Sequence, residues 1–259
     1  MRIDILTLFP EMFEHFLDTS IIKRAVSKGV VDIGLTNIRD YTKDKNKRVD
    51  DYPLGGGAGL IMSCQPILDS LKVVKSTKSK VIYLSPKGVP FSQKIARELA
   101  KEEHLIFLCG HYEGIDERVL DHVDMQVSIG DYILTGGELP AMVVSDSIIR
   151  LLEGAISFGS LDIETFDNGL LEYPQYTFPR IYEGKEVPPI LFCGNHQVVD
   201  KWRLKEQLRL TKRFRPDLLE GRQFTKLEKE LMDELEKGIE EPAWYLDALE
   251  KGRKFISNK

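Results

Sequence analysis

Ser128-Ile129-Gly130-Asp131-Tyr132-Ile133-Leu134-Thr135-Gly136-Gly137-Glu138-Leu139-Pro140 decides how this chain is read. Met125, Val127 and Ile129 alternate as the end of an apolar strand, and Gly136-Gly137 passes into a helix with Pro140 in its first turn. Glycines at a strand-to-helix passage let backbone N–H and C=O groups come close to a ligand. Tyr132, Ile133 and Leu134 supply apolar walls suited to a flat, mostly uncharged group such as adenine. Taken alone, the stretch is equally an ordinary loop with a glycine turn. Two strand ends upstream carry the same mark. Val81-Ile82-Tyr83-Leu84-Ser85-Pro86-Lys87-Gly88 reads as a buried strand ending in a turn. Leu105-Ile106-Phe107-Leu108-Cys109 reads as another, running into Gly110-His111-Tyr112-Glu113-Gly114-Ile115-Asp116-Glu117-Arg118. Ligands of open α/β sheets gather beyond the carboxyl ends of strands. Three such ends together describe a pocket better than any one alone.

Outward from these ends, strand and helix signals alternate. Ile3 to Phe9 forms a short strand, and Pro10-Glu11 starts a helix with Phe13, Phe16 and Leu17 on one face. Lys28-Gly29 closes a second helical piece before Val30 to Leu35 returns as a strand. Ser92 caps a helix whose Ile95 and Leu99 face inward, and Pro140 to Leu152 forms another, with an isolated Arg150. This alternation predicts an α/β domain with a mainly parallel sheet. Beyond Gly154 an acidic, glycine-bearing stretch without period reads as an interdomain linker. Proline-rich irregular chain follows, then a long helix from near Val198. Along it Lys201, Lys205, Arg209, Lys212 and Arg213 recur on one side, with Leu204, Leu208 and Thr211 on another. Two more helices, split at Glu241-Pro242, complete a helical second domain.

Composition narrows the function classes. The 259 residues are 42% hydrophobic and 30% charged, those of a soluble globular protein, and a net charge of -5 argues against indiscriminate nucleic-acid binding. Cys64, Cys109 and Cys193 lie far apart, odd in number and without a C-x-x-C, so neither a disulfide framework nor a zinc site is expected. The histidines lack H-E-x-x-H spacing, no Gly-Lys-Ser/Thr follows Gly55-Gly56-Gly57-Ala58-Gly59, no strand end is a G-x-G-x-x-G, and no serine sits in G-x-S-x-G. These absences disfavour a metalloprotease, a P-loop NTPase, a nicotinamide or flavin dinucleotide enzyme and an α/β-hydrolase. No apolar run reaches about 18 residues, so no membrane association is expected and the cytoplasm is the expected location.

Four motifs, in order, resemble the bacterial tRNA (guanine-N1)-methyltransferases of the TrmD family: the opening thirteen residues, Val49-Asp50-Asp51 with the glycine run after it, Tyr83-Leu84-Ser85-Pro86, and Cys109 to Arg118. Gly169-Leu170-Leu171-Glu172-Tyr173-Pro174-Gln175-Tyr176-Thr177 and Trp202-Arg203-Leu204-Lys205 fit it as well. The resemblance implies a SPOUT-type parallel-sheet domain with a C-terminal trefoil knot over 1–157, a linker over 158–170, and a small, mostly α-helical tRNA-binding domain over 171–259. Threading of this kind is rare enough that residue patterning alone argues against it. The resemblance further implies S-adenosyl-L-methionine as methyl donor, tRNA as substrate, and a homodimer with the site at the subunit interface. It also raises magnesium, which the residues leave open.

By the same resemblance, the donor pocket comprises Tyr83, Leu84, Ser85 and Pro86; Gly110, Tyr112, Glu113 and Gly114; Ile129, Gly130, Asp131, Tyr132, Ile133 and Leu134; and Gly136, Gly137 and Pro140. The reaction implied is methylation at N1 of the guanosine just 3′ of the anticodon (position 37). Guanine N1 carries a proton at neutral pH, so a base must remove it, and negative charge then moves toward O6. Arg150 matches the family arginine serving O6 and helping to hold the donor. The general base of the family is an Asp two residues before the Phe that is here Phe166; that position is Glu164, one methylene longer. Asp167 is a second local carboxylate and Asp162 a third. His111 stands where many relatives carry Arg. The basic side of the long helix is expected to meet RNA backbone. Rival readings are a related knotted methylase acting on rRNA or ribose, and a noncatalytic RNA-binding protein of the same fold.

Overall fold

The computed structural model of the chain describes residues 1–156 and 168–257, with side chains to residue 252. The chain divides into two compact units, Met1–Ser160 and Leu161–Lys259.

In unit 1 the elements run β1 (Arg2–Thr7), a 3-10 turn, α1 (Glu14–Leu17), α2 (Ser20–Ser27), β2 (Asp32–Asn37), β3 (Asp50–Asp51), β4 (Ile61–Met62), α3 (Cys64–Val74), β5 (Ser79–Pro90), α4 (Gln93–Leu99), β6 (His104–Cys109), β7 (Met125–Ser128) and α5 (Glu138–Ile149). The main sheet has the order β2-β1-β6-β5-β7 and every pairing in it is parallel. Its central strands are buried on both faces, which is why β6 reads as unbroken apolar chain rather than as an alternating pattern. Alternation survives in which core each residue serves. Ile82, Leu84, Leu105 and Phe107 pack on one side with Ala96, Leu99, Val144 and Ile148 from α4 and α5. Val81, Tyr83, Ile106 and Leu108 pack on the other with Ile67 and Leu71 from α3.

Two readings of this unit change. The first helix after β1 opens as a 3-10 turn over Pro10–Phe13, with α1 completing it. The strand expected to turn at Gly88 instead runs on to Pro90, with a register shift against β7 between Leu84 and Val89. A bulge of this kind bends a strand without ending it. Gly88 is required there because a Cβ would lie 2.3 Å from the backbone nitrogen of Val127.

Unit 2 contains a small hairpin of β8 (Ile181–Tyr182) and β9 (Lys185–Glu186), then α6 (His196–Phe214), α7 (Lys226–Glu236) and α8 (Ala243–Ser257). Leu170 is fully buried against Leu208 and Leu231, so the core of this unit already includes the last residue of the expected linker. Asn195 caps α6 by accepting from the backbone of Gln197 and Val198, and Thr225 with Glu228 forms a capping box on α7.

The basic stripe of α6 is only in part the solvent-facing surface expected from its spacing: Lys212 and Arg213 are exposed, whereas Lys205 and Arg209 are engaged within the unit. Lys205 is 1% exposed and its Nζ donates to Glu234 (2.9 Å) and to the carbonyl of Ile239 (2.6 Å). Arg209 pairs with Glu240 at 2.6 Å and Glu206 at 3.2 Å, Lys212 reaches Glu236, and Lys201 lies 4.8 Å from the Trp244 ring centroid. Helical periodicity records which residues share a face, but not whether carboxylates from α7 and from the chain leading into α8 cover it. Among the described residues no helix is long and apolar enough to cross a membrane.

Candidate active site

Parallel pairing sets Leu84 of β5 beside Cys109 of β6 and Val127 of β7, so the loops leaving these three strands meet at one end of the sheet. A cavity of about 360 Å³ opens between them. It is lined by Tyr83, Leu84, Ser85 and Pro86 from the first loop, by Gly110, Tyr112, Glu113 and Gly114 from the second, and by Ile129, Gly130, Tyr132, Ile133, Leu134, Gly136, Gly137 and Pro140 from the third. Asp131 is exposed and lies outside the lining.

The loops are tied together by main chain. Gly137 N–H donates to the Gly110 carbonyl at 2.8 Å, and His111 forms an isolated bridge with Gly136. On its other side the second loop is stitched to β4, through Glu113 N–H to Leu60 O (3.0 Å) and Met62 N–H to Gly114 O (2.9 Å). So close an approach leaves no room for side chains. A Cβ at Gly137 would lie 2.7 Å from the Cys109 Cα, and one at Gly110 would lie 2.9 Å from the Tyr83 hydroxyl. Tyr112 adopts a left-handed φ of 58° and is 41% exposed, a conformation that costs a non-glycine residue about 1–3 kcal/mol and clusters at functional sites.

Behind the cavity, Glu138 sits buried in the first turn of α5 and accepts from the Thr7 hydroxyl at 2.7 Å. Acidic groups are favoured at a helix N-terminus, and this bond ties α5 to the end of β1. Burial, and after it the charge of Glu138, push the Cys109 thiol well up, so it stays protonated and unreactive at neutral pH. Burial, and after it the charge of Glu117, also push the Tyr83 phenol up, against an opposing hydrogen bond with Ser85.

Sequence reading did not single out Lys87, Glu117, Gln126, Ser128 and Thr135, which also line the cavity. Gln126 carried a usable signal, being an amide inside an otherwise apolar strand. Its Oε1 is buried without a partner, as is His111 Nδ1. Arg150 does not line this cavity: it caps the far end of α5, about 15 Å along the helix from Pro140. Glu164 and Asp167, with Asp162, lie outside the described residues. Among the described residues no three His, Cys, Asp or Glu side chains converge as a metal cage.

A glycine-walled cavity at the carboxyl tips of a parallel sheet is where α/β enzymes gather small ligands. Residues 1–221 match the family model described as tRNA (Guanine-1)-methyltransferase TrmD. Among curated relatives, a tRNA (guanine-N(1)-)-methyltransferase of Clostridium botulinum (strain 657 / Type Ba4) is 56% identical over 92% of this chain and 100% of its own length. One from Dictyoglomus turgidum (strain DSM 6724 / Z-1310) is 51% identical over 93% and 99%. One from Clostridium tetani (strain Massachusetts / E88) is 54% identical over 89% and 97%. The chain belongs to the TrmD family of tRNA (guanine-N1)-methyltransferases. The resemblance carried by its motifs is thereby established, and with it the class of enzyme.

Proposed function

We infer that the protein transfers a methyl group from S-adenosyl-L-methionine to N1 of the guanosine 3′-adjacent to the tRNA anticodon, position 37. One observation carries the reading: in a chain of this family, three glycine-marked strand ends surround a single cavity. The lining suits the donor. The glycines at 110, 136 and 137 let the loops close around the cavity, Tyr132, Ile133 and Leu134 wall a flat ring, and the orphaned Gln126 Oε1 accepts an N–H. The donor supplies an electrophilic methyl group on a sulfonium. Glu164, with Asp167 as the alternative, takes the N1 proton, and Arg150 stabilises the charge gathering on O6.

The placement of Arg150 bears on assembly. It stands at the end of α5 remote from Pro140 and outside the cavity lining, so a second copy of the chain is the natural source of the arginine that serves a given cavity. Leu139 and Val143 on α5, together with Ile133 at 82% exposure, form the apolar surface such a homodimer would cover. The trefoil knot belongs to the same reading: after edge strand β7 the chain returns to pair with the loop that leaves β6. A tRNA substrate places the enzyme in the cytoplasm.

The test is transfer of labelled methyl to purified tRNA, with the target guanosine replaced as control. Label on guanine N1 and none on the control support the reading; label on ribose, or none at all, removes it. Arg150→Ala and Glu164→Gln should each abolish turnover, the second while leaving donor binding intact. Mixing the two inactive variants should restore activity if one site draws these residues from different copies.

A further inference from the structure

Part of the basic side of α6 is engaged inside unit 2, at Lys205 and Arg209, which directs attention to what else that unit presents. The segment after Leu171 presents rings. Tyr173, Tyr176, Phe178 and Tyr182 follow one another within ten residues, and Phe178 and Tyr182 are 79% and 65% exposed. Tyr176, Phe178 and Tyr182 belong to none of the hydrophobic clusters of the unit. Single exposed rings mean little, whereas a contiguous set of them marks a binding face.

Two adjoining clefts open along this segment and share Gln175 and Tyr176. The first, of about 280 Å³, is bounded by Tyr173, Tyr176, His196, Trp202 and Arg203. The Arg203 guanidinium lies 4.9 Å from the Tyr173 ring centroid, its Nη1 donates to Asp200 at 3.0 Å, and its Nε is buried with no partner. The second cleft is bounded by Phe178, Tyr182 and Lys185. Both therefore combine flat rings with polar side chains, His196 and Arg203 in the first and Gln175 and Lys185 in the second. An apolar protein surface docked here would strip water from Lys185, Glu186 and the Arg203 guanidinium beside the rings, at a cost. An unstacked nucleobase uses both kinds of group, with its face on a ring and its edge on an amide or guanidinium.

We propose that these two clefts seat successive unstacked bases of the RNA substrate, with Tyr176 as the platform common to both. The proposal rests on the tRNA methyltransferase reading and adds how unit 2 meets the RNA: by stacking rather than by phosphate contacts. Stacking releases no counterions, whereas each phosphate contact steepens the salt dependence of binding. The two modes therefore leave different signatures.

The experiment titrates the full-length protein into a labelled tRNA anticodon stem-loop at 50–200 mM salt, as wild type and as Tyr176→Ala, Phe178→Ala and Tyr176→Trp. Removing one ring should weaken binding roughly 5- to 100-fold, in line with the loss of one base-stacking contact. The salt slope and the affinity for S-adenosylhomocysteine should stay at wild-type values, and Tyr176→Trp should restore RNA affinity. Unchanged affinity in both alanine variants would overturn the proposal, as would a weakening accompanied by a shallower salt slope. Sedimentation of Tyr176→Ala as a smaller species than wild type would also overturn it, by assigning the face to a second copy of the chain. Wild-type protein that transfers no methyl to tRNA would instead remove the underlying reading, a result visible before any variant is made.

Discussion

At the strand tips of unit 1 a cavity is made by leaving side chains out, at Gly110 and Gly137. Along α6 of unit 2 carboxylates are set against Lys205, Arg209 and Lys212 of a basic stripe. Both regions stand out in the sequence, one by its glycines and the other by its lysines and arginines. The glycines lead to the cavity because the close approach they permit is written into local backbone geometry. Which cations are engaged within the unit is not legible locally, because the carboxylates of α7 and beyond that meet Lys205, Arg209 and Lys212 lie 24 to 31 residues away. Local chemistry can be read from a window of sequence, and neutralisation by remote chain cannot.

The largest effect that would sharpen this contrast is expected at Gly137. Gly137→Ala places a methyl group 2.7 Å from a backbone carbon that cannot yield, and it separates the loops joined by the Gly137–Gly110 hydrogen bond. Displacement of about an ångström at such a site costs on the order of 100-fold in turnover efficiency. The expected result is that loss in kcat/KM and a matching drop in donor affinity by calorimetry, with far-UV circular dichroism unchanged. Near-normal donor binding would show that the tips are not the ligand's contact.

Lys205→Ala should behave in the opposite way. It leaves Glu234, only 17% exposed, without its cation, and opening a buried pair from one side costs about 3–5 kcal/mol. Urea denaturation should register that destabilisation while donor affinity stays at wild type. A variant that instead keeps its stability and loses RNA affinity would return α6 to the role its periodicity suggested.

A smaller effect is expected from pH. Burial pushes the Glu228 carboxyl up, but the Arg222 guanidinium and the Thr225 cap outweigh it and hold the group below its ordinary value. Arg209 likewise lowers Glu240, whereas burial raises Glu206 and works the other way. A carboxyl depressed by folding stabilises above its unfolded value of about 4.3 and loses that contribution as pH falls through the folded one. Unit 2 should therefore lose stability below about pH 4. Glu228→Gln should be less stable at pH 7 by about 1.5–3 kcal/mol and show a flatter acid limb, followed by thermal unfolding. An identical acid limb would remove Glu228 from the account.

Legibility divides along the same line. The parallel sheet, the caps at Ser92 and the meeting of three strand tips follow from short-range signals: apolar runs, a hydroxyl before a helix, glycine at a turn. The continuation of β5 through Gly88 was hidden because a bulge and a turn share the same residue preference. The first cleft of unit 2 was hidden for another reason: Tyr173 and Arg203 are 30 residues apart, and their contact exists only after α6 packs. Gln126 was overlooked inside its strand, although an amide among apolar neighbours was itself the clue.

A wall built of main chain has a pharmacological consequence. A competitor that fills the cavity against Gly110 and Gly137 meets surfaces whose composition is hard to exchange, because any replacement there collides with Cys109 or Tyr83. Resistance by substitution is then confined to the solvent-facing rim, chiefly Tyr132 and Ile133. Inhibitors that draw affinity from the glycines and little from the rim should be the hardest for the enzyme to escape.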